Sequence, residues 1–234
     1  MTAEEIKASS KAPSQGSAQG SSQGSDAGQG AGAAQTKGVE IPLFPLRTVL
    51  FSGGQLPLKI FEARYTAMVS SCLKQGIGFG VVLLRKGGES RQGPPSDAPE
   101  FFDVGTEASI VDFNQLSDGL LGIVAQGGRK FRVLKTWEQP DQLLMGQVAY
   151  LPEEPAASLS DEHAGLVDIL QELVQHPMVQ KLQLDIDFAD ARSVGWRLAE
   201  LLPIEPEIKQ SLLQLHLPKE RLSELTRLVN KLRA

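Results

Sequence analysis

The residues able to carry chemistry are few and scattered. The chain has three histidines, His163, His176 and His216, and one cysteine, Cys72, in 234 residues. Histidines that share a metal on one helix stand three or four positions apart. His163 and His176 are too far apart for that, near opposite ends of one helical pattern. Cys72 falls in an apolar helical stripe, where burial keeps a thiol protonated and inert. A single cysteine also excludes a disulfide framework or a Cys-x-x-Cys site. Asp185, Asp187 and Asp190 lack the glycine and terminal glutamate of a calcium loop, and Asp190 reads as a helix N-cap. Gly76-Ile77-Gly78-Phe79-Gly80 follows a helix and precedes a strand. A dinucleotide site needs strand, glycines, then helix, because the pyrophosphate sits on the helix N-terminus. No Gly-Lys step exists for a phosphate-binding loop, and the serines cluster in the first 38 residues, where no scaffold holds a triad. No catalytic residue, metal ligand, cofactor or enzymatic activity is expected.

Recognition chemistry is better represented. Phe44, Phe51, Phe61 and Tyr65 gather around Pro42, Pro45 and Pro57, prolines that confine their strands to sheet edges or bulges. Edge strands offer unpaired backbone groups and aromatics offer apolar area, so these four are the candidates for capturing an extended polypeptide. The same rings would also fill a core between sheet and helix. Glu62 with Arg64, Arg129 or Lys130 is a candidate ion pair orienting a helix on the sheet. Arg129, Lys130, Arg132 and Lys135 make a short basic stretch, with Lys130 and Arg132 on one strand face. That would suit RNA, but a net charge of −5 and a pI of about 5.3 argue against nucleic-acid binding. A pocket between sheet and helices would instead suit a small molecule.

The elements that must position these groups follow from pattern. Residues 1–38 carry Ala, Gly, Ser or Gln at 27 positions and only Met1 and Ile6 as sizeable apolar residues. Such a segment cannot bury enough surface to offset its ordering entropy and reads as a disordered arm. Short strands are expected over 39–44, 56–61, 78–85, 102–113, 120–125, 130–136 and 142–149. Turns are expected at Ser52-Gly53-Gly54, Ser117-Asp118-Gly119 and Gln126-Gly127-Gly128, with a loop over 86–99. Residues 62–75 place Tyr65, Met68, Val69, Cys72 and Leu73 on one helical stripe that stops at Gly76. After Pro155 the period turns helical: 160–175 ended by Pro177, 190–202, 206–215, and a last helix from Pro218 with Leu222, Leu225, Val229 and Leu232 inward. Strands first and helices after make an α+β chain, its strands in a barrel or sandwich. No apolar run approaches the ~20 residues of a membrane span, and the first residues carry no secretory h-region, so the cytoplasm is the expected compartment.

One set of motifs goes further. Ile41-Pro42-Leu43-Phe44-Pro45-Leu46, Val49-Leu50-Phe51, the block Leu56-Pro57-Leu58-Lys59-Ile60-Phe61-Glu62-Ala63-Arg64-Tyr65, and Met68 resemble the opening of the Lon protease N-terminal domain. Phe79-Gly80-Val81-Val82, Val104-Gly105-Thr106-Glu107-Ala108 and Gly128-Arg129-Lys130-Phe131-Arg132-Val133 are similar to later family segments, in the same order. Two positions depart from the pattern: Ser52 stands where the family has proline, and Lys130 where it has arginine, a planar bidentate donor. The resemblance implies a PUA-like pseudo-barrel of short, mostly antiparallel strands with one packed helix over 39–152, then a helical bundle over 153–234. It implies recognition of unfolded or client polypeptides, with protease or chaperone components as further partners. The ATPase and Ser-Lys peptidase modules of full Lon proteases have no counterpart in these 234 residues, so the resemblance is to a stand-alone, non-enzymatic substrate-binding domain.

Overall fold

The structure is a computed structural model that describes residues 38–88, 99–182 and 184–233. The expected disordered arm lies, but for Gly38, outside these residues, as does most of the expected loop over 86–99. Six strands and one helix come first: β1 (Val39–Leu46), β2 (Gln55–Ile60), α1 (Ala63–Gln75), β3 (Phe79–Lys86), β4 (Glu100–Gln115), β5 (Leu121–Glu138) and β6 (Leu144–Tyr150). Five helices follow: α2 (Ala164–Val174), α3 (Pro177–Gln180), α4 (Ala191–Leu201), α5 (Pro206–Gln214) and α6 (Pro218–Arg233).

The strands form one mixed sheet in the order β2-β5-β4-β3-β1-β6, and β6 also pairs with β5. The circuit β5-β4-β3-β1-β6 therefore closes on itself. Only β1 and β3 run parallel, with Leu43 opposite Gly80; every other pairing is antiparallel. β2 pairs with the first part of β5, Pro57 opposite Val124, and among the described residues no strand pairs with its other edge.

β5 corrects the expected turn over Gln126-Gly127-Gly128. The chain runs through these residues as one 18-residue strand. The glycines are there for approach rather than reversal: a Cβ on Gly127 would stand 2.1 Å from the Phe51 carbonyl oxygen. In that space Gly53 N–H donates to Gly127 O at 2.7 Å, and Gly127 N–H donates to Gly54 O at 2.9 Å. The strand is bound to the Ser52–Gly54 turn where a side chain would have pushed it away.

Three apolar clusters hold the fold. Inside the closed circuit, Leu43, Val82, Phe131 and Val148 interdigitate. Under α1, Tyr65, Met68, Val69 and Cys72 pack on Phe44, Phe79, Ile123 and Ala125. Burying each large apolar side chain of this kind stabilises the fold by roughly 1.5–3 kcal/mol. α1 ends where Gly76 turns left-handed at φ 65° and donates to Cys72 O. Leu73, expected on the buried stripe, is 41% exposed, because the stripe narrows at the last turn. The third cluster joins Phe51, Leu83 and Val104 of the sheet region to Leu170, Val194, Leu198, Leu212, Leu222 and Leu225 of the helices. One core thus crosses from the strands into the helical half.

The helical half differs from expectation in detail. A 3-10 turn, Asp161–His163, precedes α2. Pro177 does not merely end a helix; it opens the short α3, a first-turn position that needs no N–H. Asp190 caps α4 by accepting from Arg192 N–H, while Leu232 of α6 lies 57% exposed.

Candidate functional site

The strand-to-helix passage from β2 into α1 builds a cleft of about 250 Å³ from Phe44 and Leu46 of β1, Pro57–Ile60 of β2, Phe61, Glu62, and Tyr65 of α1. Phe44 and Tyr65 stack with ring centroids 4.0 Å apart and form its wall. Phe61 is 55% exposed at its mouth. It follows the last residue of β2, Ile60, which is buried, so alternation along the chain turns the Phe61 ring outward. Pro57 and Lys59 are exposed along the same strand. Of the four aromatics named from sequence, three meet here. Phe51 does not: it is fully buried in the core shared with the helices.

Charge organises the entrance. Arg64 pairs with Glu62 at 2.8 Å, donates to Gln142 O at 3.0 Å and lies 4.5 Å over the Tyr65 ring. Glu62 thus takes Arg64 as partner, while Arg129 and Lys130 pair elsewhere. Arg129 faces Glu107 at 3.4 Å and covers the Tyr150 ring at 3.6 Å. Tyr150 donates to Glu107 at 2.6 Å. Burial first, then this carboxylate, push its phenol up to about 12.

Lys130 is buried. Its ammonium donates to Glu154 at 2.6 Å and to the carbonyls of Leu213 and Leu215. Burial pulls its pKa down, against the pull of Glu154. Arg132 pairs with Asp103 on the surface. The basic stretch read as a candidate RNA face is therefore divided: one member is inside and two are matched to acids.

Glu154 and Arg221 are functional-looking residues that sequence reasoning passed over. Arg221 is fully buried, donating to both Glu154 oxygens and to the carbonyls of Leu212 and Leu215. Lys130 and Arg221 together cap the carbonyl end of α5, where cations are favoured. A signal for Arg221 was present: it lies four residues before Leu225 and seven before Leu228, on the apolar stripe of α6.

Ser160, Glu162 and His163 do not form a catalytic relay. Ser160 Oγ lies 2.8 Å from His163 Nδ1, but Glu162 also approaches that hydroxyl, at 2.8 Å, and the same ring nitrogen, at 3.6 Å. A relay needs the acid on one ring nitrogen and the hydroxyl on the other. Among the described residues no group of three metal-ligating side chains occurs, and none of their helices is long and apolar enough to cross a membrane. Cys72 is buried, its thiol pushed up by burial.

A second cleft, of about 280 Å³, opens where β5, the 151–154 segment and α4 meet. Its walls include Gly127, Gly128, Arg129, Leu151, Pro152 and Trp196.

Known proteins share this architecture. The crystal structure of a Lon N-terminal domain protein from Xanthomonas campestris matches with a TM-score of 0.64 at 33% identity, covering 81% of this chain and 98% of that one. The N-terminal domain of a Mycobacterium avium complex Lon protease shares the fold at 17% identity and a TM-score of 0.53, covering 80% of this chain and 96% of that one. Among curated proteins, a Lon protease of Anaeromyxobacter dehalogenans is 30% identical over 104 residues, 44% of this chain and 12% of its own length. One of Cytophaga hutchinsonii is 27% identical over 202 residues, 82% of this chain and 24% of its own length. The chain spans about a quarter or less of the length of these relatives. The α+β arrangement is that of Lon N-terminal domains. The profile of the ATP-dependent protease La (LON) substrate-binding domain matches residues 40–231, strands and helices together, and the chain belongs to that family.

Proposed function

We propose that this chain recognises polypeptides without cutting them, and that an exposed apolar segment of an extended client docks in the β2–α1 cleft. The observation that carries the reading is Phe61, a large ring 55% exposed at the mouth of a cleft walled by Phe44 and Tyr65, beside a strand edge that pairs with no other strand among the described residues. Phe44 and Tyr65 supply the apolar wall, Phe61 closes over the guest, and β2 offers backbone groups to an extended chain. Phe51 supports the cleft from the core rather than touching a client. Glu62 and Arg64 fix the start of α1, so that Tyr65 and Phe61 keep their relative positions; Lys130 pairs toward the helices and Arg129 with Glu107 within the sheet.

In this reading the closed strand circuit, residues 39–152, is a PUA-like pseudo-barrel. The helices of 153–234 form a bundle that braces it. The protein works in the cytoplasm as an adaptor, holding clients for a protease or chaperone.

The test is binding of a fluorescent, permanently unfolded polypeptide to the full chain by anisotropy. Saturable binding that weakens about fivefold or more in Phe61→Ser supports the reading, a loss in line with one buried aromatic contact. Absence of binding by the unaltered protein, or equal binding by Phe61→Ser, overturns it.

A further inference from the structure

The junction cleft between β5, the 151–154 segment and α4 has a composition unlike that of the β2–α1 cleft. One side is apolar: Trp196 of α4 with Leu151 and Pro152. The opposite side is glycine backbone, Gly53, Gly127 and Gly128, which lets a guest come close to the main chain. Gly128 has no steric need to be glycine, since a Cβ there would meet its nearest neighbour, Glu107 O, at an ordinary 3.5 Å. The buried indole N–H of Trp196 has no acceptor among the described residues.

Charged groups of both signs line the cleft. Its walls carry Arg129, Lys130 and Arg192 with Glu153 and Glu154, and Glu107 and Asp190 pair with Arg129 and Arg192. Most of these charges are committed. Lys130 and Glu154 belong to the buried network with Arg221. Arg192 is held by Asp190 at 2.6 Å and by Glu154 O, with the Glu153 charge beside it. Arg129 is the least committed of them: among the described residues its carboxylate contact, Glu107 at 3.4 Å, is long, and its guanidinium also stacks on and bonds Tyr150. Glu107 accepts from the Tyr150 hydroxyl through its other oxygen. A fork of guanidinium N–H groups beside an apolar, glycine-floored cleft is complementary to one end of a polypeptide.

We propose that the junction cleft binds the C-terminal residue of a polypeptide, its apolar side chain against Trp196, Leu151 and Pro152 and its carboxylate on Arg129. This rests on the polypeptide-recognition reading but uses a different cleft, so the same client would be held at an internal apolar segment and at its end.

Trp137 and Trp196 are the chain's two tryptophans, so Trp137→Phe in the full chain leaves Trp196 as the sole reporter. The probe is an N-acetylated Gly-Gly-Leu peptide with a free carboxylate, compared with its carboxamide. The expected result is a saturable change in Trp196 fluorescence and a matching calorimetric heat with the acid. The carboxamide should bind about tenfold or more weakly, and Arg129→Met should abolish the difference, as for a lost charge-assisted hydrogen bond. Equal binding of acid and carboxamide, or no heat and no fluorescence change with the acid, overturns the inference. An unfolded polypeptide ending in a carboxamide, measured in parallel, reports on the β2–α1 cleft alone. If it binds while the tripeptide acid does not, only the junction proposal falls; if neither binds, both do.

Discussion

Arg221 of α6 donates to both carboxylate oxygens of Glu154, with Nη1 to Oε2 at 2.8 Å, and the two side chains are 0% and 1% exposed. Lys130 of β5 reaches the same carboxylate. Two cations and one anion, all out of water, thus tie the last helix to the sheet through the segment that joins them. Removing Glu154 leaves both cations buried without compensation, whereas removing Arg221 still leaves Lys130 paired with Glu154.

Glu154→Gln should therefore destabilise the protein by about 3–5 kcal/mol, the range for breaking a buried pair. Arg221→Met should cost less than Glu154→Gln, because Lys130 still pairs with Glu154. Replacing all three by apolar residues of similar volume, Lys130→Met with Glu154→Leu and Arg221→Met, should also cost less than Glu154→Gln, because no orphaned charge remains. Urea unfolding followed by circular dichroism measures all three. A triple variant less stable than Glu154→Gln would show that hydrogen bonds to the α5 carbonyls, rather than charge balance, dominate this junction.

Two carboxylates should give opposite pH signatures. Burial pushes Glu154 up, but the hydrogen bonds and charges of Arg221 and Lys130 overcome it and hold the carboxyl below its ordinary 4.5. Its stabilisation is complete above pH 4.5 and is lost as the pH falls through the lower folded value. Glu200 is the reverse. Burial raises it above 4.5, only partly opposed by Arg197, the Gln55 N–H and Lys209. The folded chain then holds that proton more tightly than the unfolded chain, so stability declines as the pH rises from 4.5 through the folded value. The stability deficit of Glu154→Gln should shrink on acidification below pH 4.5. That of Glu200→Gln should shrink as the pH rises from 4.5 toward neutrality. Unfolding curves collected from pH 3 to 8 check both signs.

Much of this architecture was legible. Proline-broken apolar runs marked β1 and β2, the Tyr65–Cys72 stripe marked α1, and prolines 206 and 218 marked helix starts, because each is a local rule. What failed was nonlocal. Gln126-Gly127-Gly128 looks like a turn in isolation; only the approach of the Phe51 carbonyl explains why glycine sits inside a continuous strand. Phe51 looked equivalent to Phe44 and Phe61, but the turn at Ser52–Gly54, pinned by Arg197 donating to Ser52 O, sends its ring into the helical core. Glu154 and Arg221 lie 67 residues apart, and no spacing rule joins them. The candidate cleft was visible because its aromatics all flank one short segment.

The two adjacent glycines of β5 should respond differently to alanine. At Gly127 the added methyl would lie 2.1 Å from the Phe51 carbonyl oxygen, a backbone atom that cannot rotate away. Gly127→Ala should cost about 3 kcal/mol or more, at the upper end of overpacking penalties. At Gly128 the nearest atom is 3.5 Å away, and Gly128→Ala should stay within about 0.5 kcal/mol of the parent. Thermal unfolding of the pair separates close approach from a general need for flexibility; equal losses would contradict the contact.

Pro57 sits in β2, whose outer edge pairs with no strand among the described residues. An open edge is a template for pairing with another chain, and proline and lysine are the residues that blunt it. Pro57 and Lys59 are both exposed on β2, and Lys59 is anchored to Asp118. Proline is tolerated in a strand where its missing N–H would have faced solvent, so the gap it leaves is on the edge rather than toward β5. Pro57→Val restores a donor and adds a β-branched side chain, leaving the pairing with β5 intact. The edge should then accept strands more readily. Self-association of Pro57→Val should rise with concentration in sedimentation velocity, and its affinity for an unfolded polypeptide should increase by about threefold or more, roughly one added backbone hydrogen bond. Pro57→Lys, which restores the donor but adds charge, should stay unassociated while still gaining affinity. If both variants behave as the parent in both measurements, the β2 edge takes no part in binding and the Phe61 cleft acts through side chains alone.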